Sequence, residues 1–225
     1  MLPVNKEGIF MNINEYREKL ISGKLDSQLE LLYKKNGTAK QRARYVEALD
    51  SFSQTYPERG DIHVYSASGR TEIGGNHTDH QHGCVIAAAV DMETTAEVTL
   101  NGTNIIRVDS EGYKPVEIDI GDLKIREEEK NTTAALIRGV AAAFAQRGYK
   151  LAGFDAKVKS TVLPGSGLSS SAAFEVLIGR ILNGLFADNA VSAIEIAQIG
   201  QYAENVYYGK PSGLMDQMAS SVGGL

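Results

Sequence analysis

The 225-residue chain has no tryptophan, one cysteine and five prolines. One cysteine excludes an internal disulfide bond, so a disulfide-stabilised secreted fold is ruled out and a reducing compartment fits. Cys84 stands in the apolar run GCVIAAAV, which predicts a small buried side chain rather than a reactive nucleophile.

Positive charge is also scarce, since 23 Lys and Arg residues face 28 Asp and Glu residues for a net charge of −5. Nucleic acids and anionic membranes usually call for a basic surface, so neither is an expected partner. Apolar runs fall short of the length that spans a bilayer, and polar residues between Asn5 and Asn14 interrupt any secretory signal pattern. We therefore expect a cytoplasmic protein. The hydrophobic content of 43% predicts a globular fold with a sizeable core.

Residues 1–60 are predicted to form an N-terminal helical extension. Apolar residues between positions 13 and 55 recur at helical spacing, with breaks at Gly23 and at Asn36 and Gly37. Pro57 then ends the last helical run. These helices carry no evident chemistry and lead into the rest of the chain.

From Asp61 onward, short β-rich runs come first and helices follow. Strands are predicted at Ile62–Ser66, Val85–Asp91, Thr95–Leu100, Ile105–Val108, Val116–Ile120 and Phe154–Val162. Helices are predicted at Ala134–Arg147, Leu168–Phe186, Ile194–Tyr207 and Leu214–Ser220. This order, with one intervening crossover, favours an α+β or α/β sandwich in which a mixed sheet packs against helices.

The stretch LPGSGLSSSAAFE, at Leu163–Glu175, joins a predicted strand to a predicted helix. Gly165 and Gly167 allow a sharp turn and close approach to a ligand. Ser169–Ser171 are expected in the first helical turn, where free N–H groups bind phosphate. A serine-rich helix cap is the alternative. The loop is not a Walker A motif, since Leu168 stands where a lysine is required, and its spacing is not the dinucleotide pattern GxGxxG.

A second polar stretch, SGRTEIGGNHTDHQHG at Ser68–Gly83, is predicted to connect two strands. Its histidines and aspartate raise a metal hypothesis, although their spacing matches no named metal motif. Short polar side chains on a turn are better suited to sugar hydroxyls, because Asp79 accepts from two hydroxyls and His77 donates or accepts. A solvated turn is the remaining alternative. The hypothetical metal ligands are His77, Asp79, His80 and His82.

The third stretch, ENVYYGKPSGLMDQ, runs from Glu204 to Gln217. Glu204 is expected near the end of a helix, and Asp216 follows the turn at Gly209–Gly213. A carboxylate after such a turn serves as a base or holds a cation. Alternatively, Asp216 is a helix-start residue that complements the helix dipole.

Together the three stretches resemble the GHMP kinases and, within that family, the galactokinases. GRTEIGGNHTDHQHG is similar to the galactokinase sugar-binding signature, LPGSGLSSSAAFE to the family phosphate loop, and GKPSGLMDQ to the segment with the catalytic aspartate. The resemblance runs from about Ser66 to the end. It implies an α+β lobe like ribosomal protein S5 domain 2, with residues 61–225 binding ATP and sugar and a C-terminal lobe outside the chain.

The resemblance also implies an ATP- and Mg²⁺-dependent transfer of the γ-phosphoryl group to the C1 hydroxyl of a sugar. It makes Asp216 the base or the orienting partner of the attacking hydroxyl, with Arg70 beside it to keep the carboxylate ionised and to stabilise charge. Ser171 and Glu204 would hold Mg²⁺. The sugar-binding residues would be Asn76, His77 and Asp79. The ATP-binding loop would comprise Pro164, Gly165, Ser166, Gly167, Leu168, Ser169, Ser170, Ser171 and Ala172.

The sequence departs from the galactokinase pattern in the sugar motif. Galactokinases usually have Glu where Asn76 stands, Asn where Glu72 stands and a bulky apolar residue where Gly74 stands. A neutral Asn76 tolerates a C6 carboxylate better than Glu, so galacturonate or another galactose derivative is the alternative to galactose. A sugar and ATP sensor is a further alternative, but sensors are expected to lose parts of the phosphate loop, which is intact here. Because the family's C-terminal glycine-rich loop is absent, we expect this chain alone not to turn over.

Overall fold

Three helices precede the long strands, as predicted: α1 (Ile13–Ile21), α2 (Asp26–Tyr33) and α3 (Thr38–Thr55). The structure, a computed structural model, describes residues 11–34 and 37–224. The first ten residues of the predicted extension and its break at Asn36 therefore lie outside the described residues. Strand β1 (Met11–Asn12) adds a short antiparallel pairing that the helical pattern did not predict.

The sheet has six strands in the order β1-β2-β3-β6-β4-β5. Strands β4 and β6 pair in parallel, and the other neighbouring pairs are antiparallel, so the predicted mixed sheet is confirmed. The remaining strands are β2 (Asp61–Gly74), β3 (Ile86–Leu100), β4 (Ile105–Ser110), β5 (Val116–Asp119) and β6 (Phe154–Ser160).

Strand β3 corrects the prediction of two separate strands at Val85–Asp91 and Thr95–Leu100. Its central polar residues do not end the strand, because they find partners on both sides. Glu93 is in register with Ser68 of β2, and Thr94 is in register with Ser160 of β6. The hydroxyls of Thr94 and Ser160 are 2.7 Å apart.

Four helices follow in the second half: α4 (Thr133–Gln146), α5 (Ser170–Phe186), α6 (Ala193–Tyr202) and α7 (Met215–Val222). A π-helical segment at Ala203–Tyr208 continues α6. A Cβ atom on Gly139 of α4 would lie 2.8 Å from Cβ of Ala203. The missing side chain therefore lets the π-helical segment approach α4 closely at Ala203, the residue before Glu204.

The two faces of the sheet have separate apolar cores. Helices α4 and α5 cover one face and bury residues such as Ala67, Ala96, Val98, Ala156, Phe144 and Leu177. Helices α1 to α3 cover the other face and bury Tyr16, Leu20, Leu29, Leu49, Phe52 and Ile62. The fold is α+β, as predicted. The division into residues 1–60 and 61–225 stays a prediction, since β1 and β2 join the two parts through hydrogen bonds.

Cys84 is exposed, which corrects the prediction that it is buried. The strand begins only at Ile86, so Cys84 remains in the connection that precedes it. Within the described ranges, no helix is long and apolar enough to cross a membrane.

Candidate active site

Arg70 lies on strand β2 and not in the connection where the sequence placed it. A register shift between Ser68 and Arg70 redirects the side chain toward the second half of the chain. Its guanidinium donates to Asp216 Oδ1 at 2.6 Å, to Asp216 Oδ2 at 2.9 Å and to the Gly167 carbonyl at 2.6 Å. Its backbone N–H donates to the Leu168 carbonyl at 3.0 Å. One buried arginine therefore joins the two predicted motifs that hold Asp216 and the glycine-serine loop.

Asp216 stands in the first turn of α7 and is ionised more readily than a free aspartate. Burial opposes its ionisation, but the hydrogen bonds from Arg70 and Ser169 and the nearby charges of Arg70 and His77 lower its pKa below the usual value. The Ser169 hydroxyl donates to Asp216 Oδ2. A carboxylate that stays ionised and faces the loop is able to orient and accept a proton from a hydroxyl.

The glycine-serine loop ends where α5 begins, at Ser170. Gly165 and Gly167 both have φ of 76°, in the left-handed region that their lack of a Cβ permits. Ser169 is also left-handed, with φ of 59°, and stands one residue before the helix rather than in its first turn. Residues Pro164–Gly167 are exposed. Free N–H groups in the first turn of a helix, next to an exposed loop, are an arrangement that favours anion binding.

Glu204 and Ser171 meet at the start of α5. The Ser171 hydroxyl is 3.5 Å from Glu204 Oε1, and Glu204 is only 3% exposed. Lys210 Nζ donates to Glu204 Oε1 at 2.9 Å. A buried carboxylate beside a hydroxyl is an oxygen donor set of the kind that Mg²⁺ prefers.

Glu204 is held by Lys210 and also by Ser212 and Gln217, and sequence reasoning missed the role of all three. Ser212 Oγ donates to Glu204 Oε2 at 2.6 Å, and Gln217 Nε2 donates to Glu204 Oε2 and to Glu175 Oε2, each at 2.9 Å. Burial, then the charge of Glu204, raises the pKa of Glu175 well above its usual value. The GKPSGLMDQ segment contains Lys210, Ser212 and Gln217. Their place in this candidate motif was the sequence signal that could have identified them as partners of Glu204.

The predicted sugar-binding residues lie on the turn after β2. Asp79 Oδ2 accepts the N–H of Met215, the first residue of α7, at 2.9 Å, while its Oδ1 is buried without a hydrogen-bond partner in the described part of the chain. His77 Nε2 lies 3.5 Å from Asp216 Oδ1. Asn76 is exposed, with φ of 53°. His77 and Asp79 therefore adjoin Asp216, whereas Asn76 stands at the outside of the turn.

The metal hypothesis for His77, Asp79, His80 and His82 receives no support, since within residues 11–34 and 37–224 no group of three or more His, Cys, Asp or Glu residues is arranged to hold an ion.

Two cavities lie beside the glycine-serine loop and the start of α7. One, of about 680 Å³, is lined by Asp79, His80 and Met215 among others. The other, of about 310 Å³, contains Pro164 and Ser171 together with Tyr113, Phe174 and Tyr208.

Two family models match the chain. Residues 135–224 match the GHMP kinases N terminal domain, and residues 50–100 match the galactokinase galactose-binding signature. The chain belongs to the GHMP kinase family and is galactokinase-like. The second match begins within α3, so the resemblance extends further toward the N-terminus than the predicted start near Ser66.

Curated relatives and solved structures agree with this assignment. The chain is 38% identical to Streptomyces coelicolor galactokinase over 160 residues, which cover 70% of this chain and 41% of that protein. It is 34% identical to Bacillus subtilis galactokinase over 174 residues, which cover 76% and 44%. This GHMP kinase chain thus spans less than half the length of both relatives.

Among solved structures, Lactococcus lactis galactokinase complexed with galactose matches with a TM-score of 0.69 and 28% identity, covering 76% of this chain and 44% of that one. Methanococcus jannaschii mevalonate kinase matches with a TM-score of 0.62 at 18% identity, covering 73% and 52%. The second likeness shows the fold alone.

Proposed function

We propose that this chain supplies the nucleotide- and sugar-binding half of an ATP-dependent sugar kinase that phosphorylates the C1 hydroxyl of galactose, and that a C-terminal lobe completes the site. The observation that carries the proposal is the Arg70 bridge. It connects Asp216, the candidate proton acceptor, to the carbonyl of Gly167 in the candidate phosphate loop. Phosphoryl transfer requires this proximity, because its catalysis is mainly positioning and charge stabilisation.

In this proposal the loop residues Pro164–Ala172 surround the β- and γ-phosphates of ATP. The N–H groups of the first turn of α5 stabilise the phosphate charge. The cavity that contains Tyr113, Phe174 and Tyr208 opens beside Ser170 and Ser171 and takes the adenine base. An apolar, partly aromatic cavity suits a base in this position.

The acceptor hydroxyl lies between Asp216 and the γ-phosphate. As the hydroxyl oxygen bonds to phosphorus, its proton moves to Asp216, and the bond from the γ-phosphorus to the β-phosphate oxygen breaks. Arg70 stabilises the charge that develops and keeps Asp216 ionised before transfer. Asp79 and His77 hold other hydroxyls of the sugar in this proposal.

Ser171 and Glu204 fit Mg²⁺, because they present a hydroxyl and a buried carboxylate oxygen 3.5 Å apart. The ion would supply charge neutralisation to the phosphates. Lys210 neutralises Glu204 in the present arrangement, and its side chain is 56% exposed, so it is free to swing away from the carboxylate. Gln217 and Ser212 keep Glu204 oriented toward Ser171.

Asn76 supports a second substrate, galacturonate or another C6-modified galactose. It is neutral and exposed on the turn, where galactokinases usually have a negative Glu. The absence of that charge reduces the repulsion that a C6 carboxylate would meet. A sugar and ATP sensor remains the non-catalytic alternative.

The decisive experiment is a sugar panel assayed by ADP release in the complete kinase, with Asp216→Asn as the inactive control. We expect turnover with galactose that Asp216→Asn abolishes. Turnover with galacturonate alone would replace the proposed substrate, and binding of ATP and galactose without turnover would identify a sensor.

A further inference from the structure

Ser169 stands immediately before α5, yet its side chain does not cap that helix. A serine in this position normally accepts a hydrogen bond from an N–H of the first helical turn. The Ser169 hydroxyl instead donates to Asp216 Oδ2, 47 residues further along the chain. The hydroxyl is therefore directed to the candidate proton acceptor and not to the helix.

The backbone of Ser169 is also unusual, since φ is 59° and ψ is 61°. This left-handed conformation is unfavourable for a residue with a Cβ atom, and it persists where the surroundings hold it, often at a functional site. Because the side chain makes no cap, the first turn of α5 keeps N–H groups available for an anion. The conformation of one residue thus serves both the loop and Asp216.

The two oxygens of Asp216 are occupied unequally. A carboxylate accepts about four hydrogen bonds, two on each oxygen. Oδ2 accepts from Arg70 Nη2 at 2.9 Å and from the Ser169 hydroxyl. Among the residues that the structure describes, Oδ1 accepts a hydrogen bond from Arg70 Nε at 2.6 Å and from no other group. The free acceptor position is therefore on Oδ1.

We propose that Ser169 is a positioning residue whose hydroxyl fills Oδ2 of Asp216, so that Oδ1 is the oxygen that orients the acceptor hydroxyl of the sugar and takes its proton. The part in the reaction rests on the proposed kinase function, whereas the contact does not. During transfer the substrate oxygen bonds to the γ-phosphorus, its proton moves to Oδ1, and the bond from the γ-phosphorus to the β-phosphate oxygen breaks. Ser169 keeps its own proton throughout.

Ser169 acts on Asp216 as a neutral donor. The charged groups that interact with Asp216 come from several elements: Arg70 of β2, His77 of the following turn, Glu175 of α5 and Lys210 of the turn before α7. Removing the Ser169 hydroxyl leaves all these charges in place. Because that hydroxyl stabilises the ionised carboxylate, its loss raises the pKa of Asp216.

Two substitutions separate the hydroxyl of Ser169 from its backbone. Ser169→Ala and Ser169→Gly both remove the hydroxyl, but glycine adopts a φ of 59° without the steric cost that alanine has. We expect the two variants to change Asp216 equally, because both lack the donor. A Ser169→Gly chain that matches the unmodified chain while Ser169→Ala differs would show that the backbone alone matters, and would overturn the proposal.

Carbon-13 NMR of the side-chain carboxyl groups measures the pKa of Asp216 in the 225-residue chain itself, and Asp216→Asn assigns the signal. We expect the pKa of Asp216 to rise by about one unit in both variants, since a hydrogen bond to an ionised group is among the stronger ones. Circular dichroism at each pH establishes that the chains are folded. An unchanged pKa of Asp216 in both variants would overturn the proposal.

The matched control is Ser166→Ala in the same loop. The Ser166 hydroxyl donates to the Leu163 carbonyl at 2.6 Å, so its removal should leave the pKa of Asp216 unchanged. An equal rise in Ser166→Ala would mean that any disturbance of the loop shifts Asp216, and would count against a specific role for Ser169.

Kinetics in the complete kinase test the part in the reaction. We expect both Ser169 variants to lower kcat by about tenfold or more and to shift the acidic limb of the pH profile to higher pH, with the KM for ATP changed by less than about threefold. A raised KM for ATP with unchanged kcat would make the Ser169 hydroxyl a phosphate ligand and overturn this part. The NMR measurement requires no turnover. A shifted pKa in the chain, together with an inactive complete kinase, would therefore contradict the proposed function and leave the contact established.

Discussion

Arg70 and Asp216 are 146 residues apart in the sequence, yet their side chains share two hydrogen bonds of 2.6 and 2.9 Å. The arginine is 6% exposed, and its third contact is the carbonyl of Gly167 in the loop. Two nitrogens of the guanidinium fork donate to the carboxylate, and the third donates to the loop carbonyl. A guanidinium has this shape and an ammonium group does not.

Arg70→Lys is therefore expected to lower sugar-dependent ADP formation in the complete kinase by about 100-fold or more, because one ammonium group cannot hold the carboxylate and the loop together. The measurement is a steady-state ADP-release assay, with circular dichroism to establish folding. Arg17→Lys changes an exposed arginine that contacts Asp50, and it should leave the rate unchanged. Activity of Arg70→Lys within about threefold of the unmodified kinase would contradict the role of the fork.

The sequence predicted most of the elements because their signals are local. Apolar spacing identified α1 to α7 to within a few residues, and the glycines and serines of Leu163–Glu175 identified the loop. A single sequence does not show which distant strands pair or which distant side chains come into contact. The shift that redirects Arg70 depends on the register of β2 against β3, and the contacts of Gln217 with Glu175 and Glu204 depend on how three helices meet. The extra strand β1 likewise depends on its distant partner at Asp61 and Ile62.

Gly213→Ala should disrupt the start of α7. A Cβ atom at Gly213 would lie 1.9 Å from Asp79 Oδ2, the oxygen that accepts the N–H of Met215. Displacing Asp79 breaks that bond and shifts the neighbouring Asp216, so we expect loss of activity and a decrease of about 1 kcal/mol in the free energy of unfolding.

Urea unfolding and the ADP-release assay measure these two effects. Gly74→Ala is the matched control, because a Cβ at Gly74 meets nothing within 4 Å. If Gly213→Ala were as stable and active as Gly74→Ala, Asp79 would not be needed to position α7.

The Mg²⁺ assignment predicts a specific loss in nucleotide binding. Ser171→Ala and Glu204→Gln each remove one proposed ligand, so the gain in ATP affinity on adding Mg²⁺ should shrink by about tenfold, while the affinity without Mg²⁺ changes less. Isothermal titration calorimetry on the chain measures both affinities.

Ser166→Ala is the control for this experiment, because the Ser166 hydroxyl donates to the carbonyl of Leu163 within the loop at 2.6 Å. Its effect on ATP affinity should be equal with and without Mg²⁺. A Mg²⁺ effect that is lost in Ser166→Ala but kept in Glu204→Gln would place the ion elsewhere.

Glu97 makes the stability of the chain depend on pH. It lies on β3 beneath α1 to α3, is 1% exposed, and neither carboxyl oxygen has a side-chain hydrogen-bond partner among the residues described. Burial raises its pKa to about 8, although Arg44 and Lys159 lower it in part. The folded state therefore retains a proton that the unfolded state releases at a much lower pH.

Because the pKa of Glu97 is raised in the folded state, the folded state loses stability as pH rises. Below about pH 4.5 Glu97 is protonated in both states and carries no penalty, and above about pH 8 it is ionised in both, so the folded state bears the full cost of a buried charge. Relative to Glu97→Gln, the unmodified chain should lose stability as pH rises through this window, by up to about 4 kcal/mol. Urea unfolding at pH 5 and pH 8.5 measures the difference. The control is Glu30→Gln, at an exposed glutamate of α2, which should show no such trend. If the stability difference between Glu97→Gln and the unmodified chain did not change with pH, Glu97 would ionise normally.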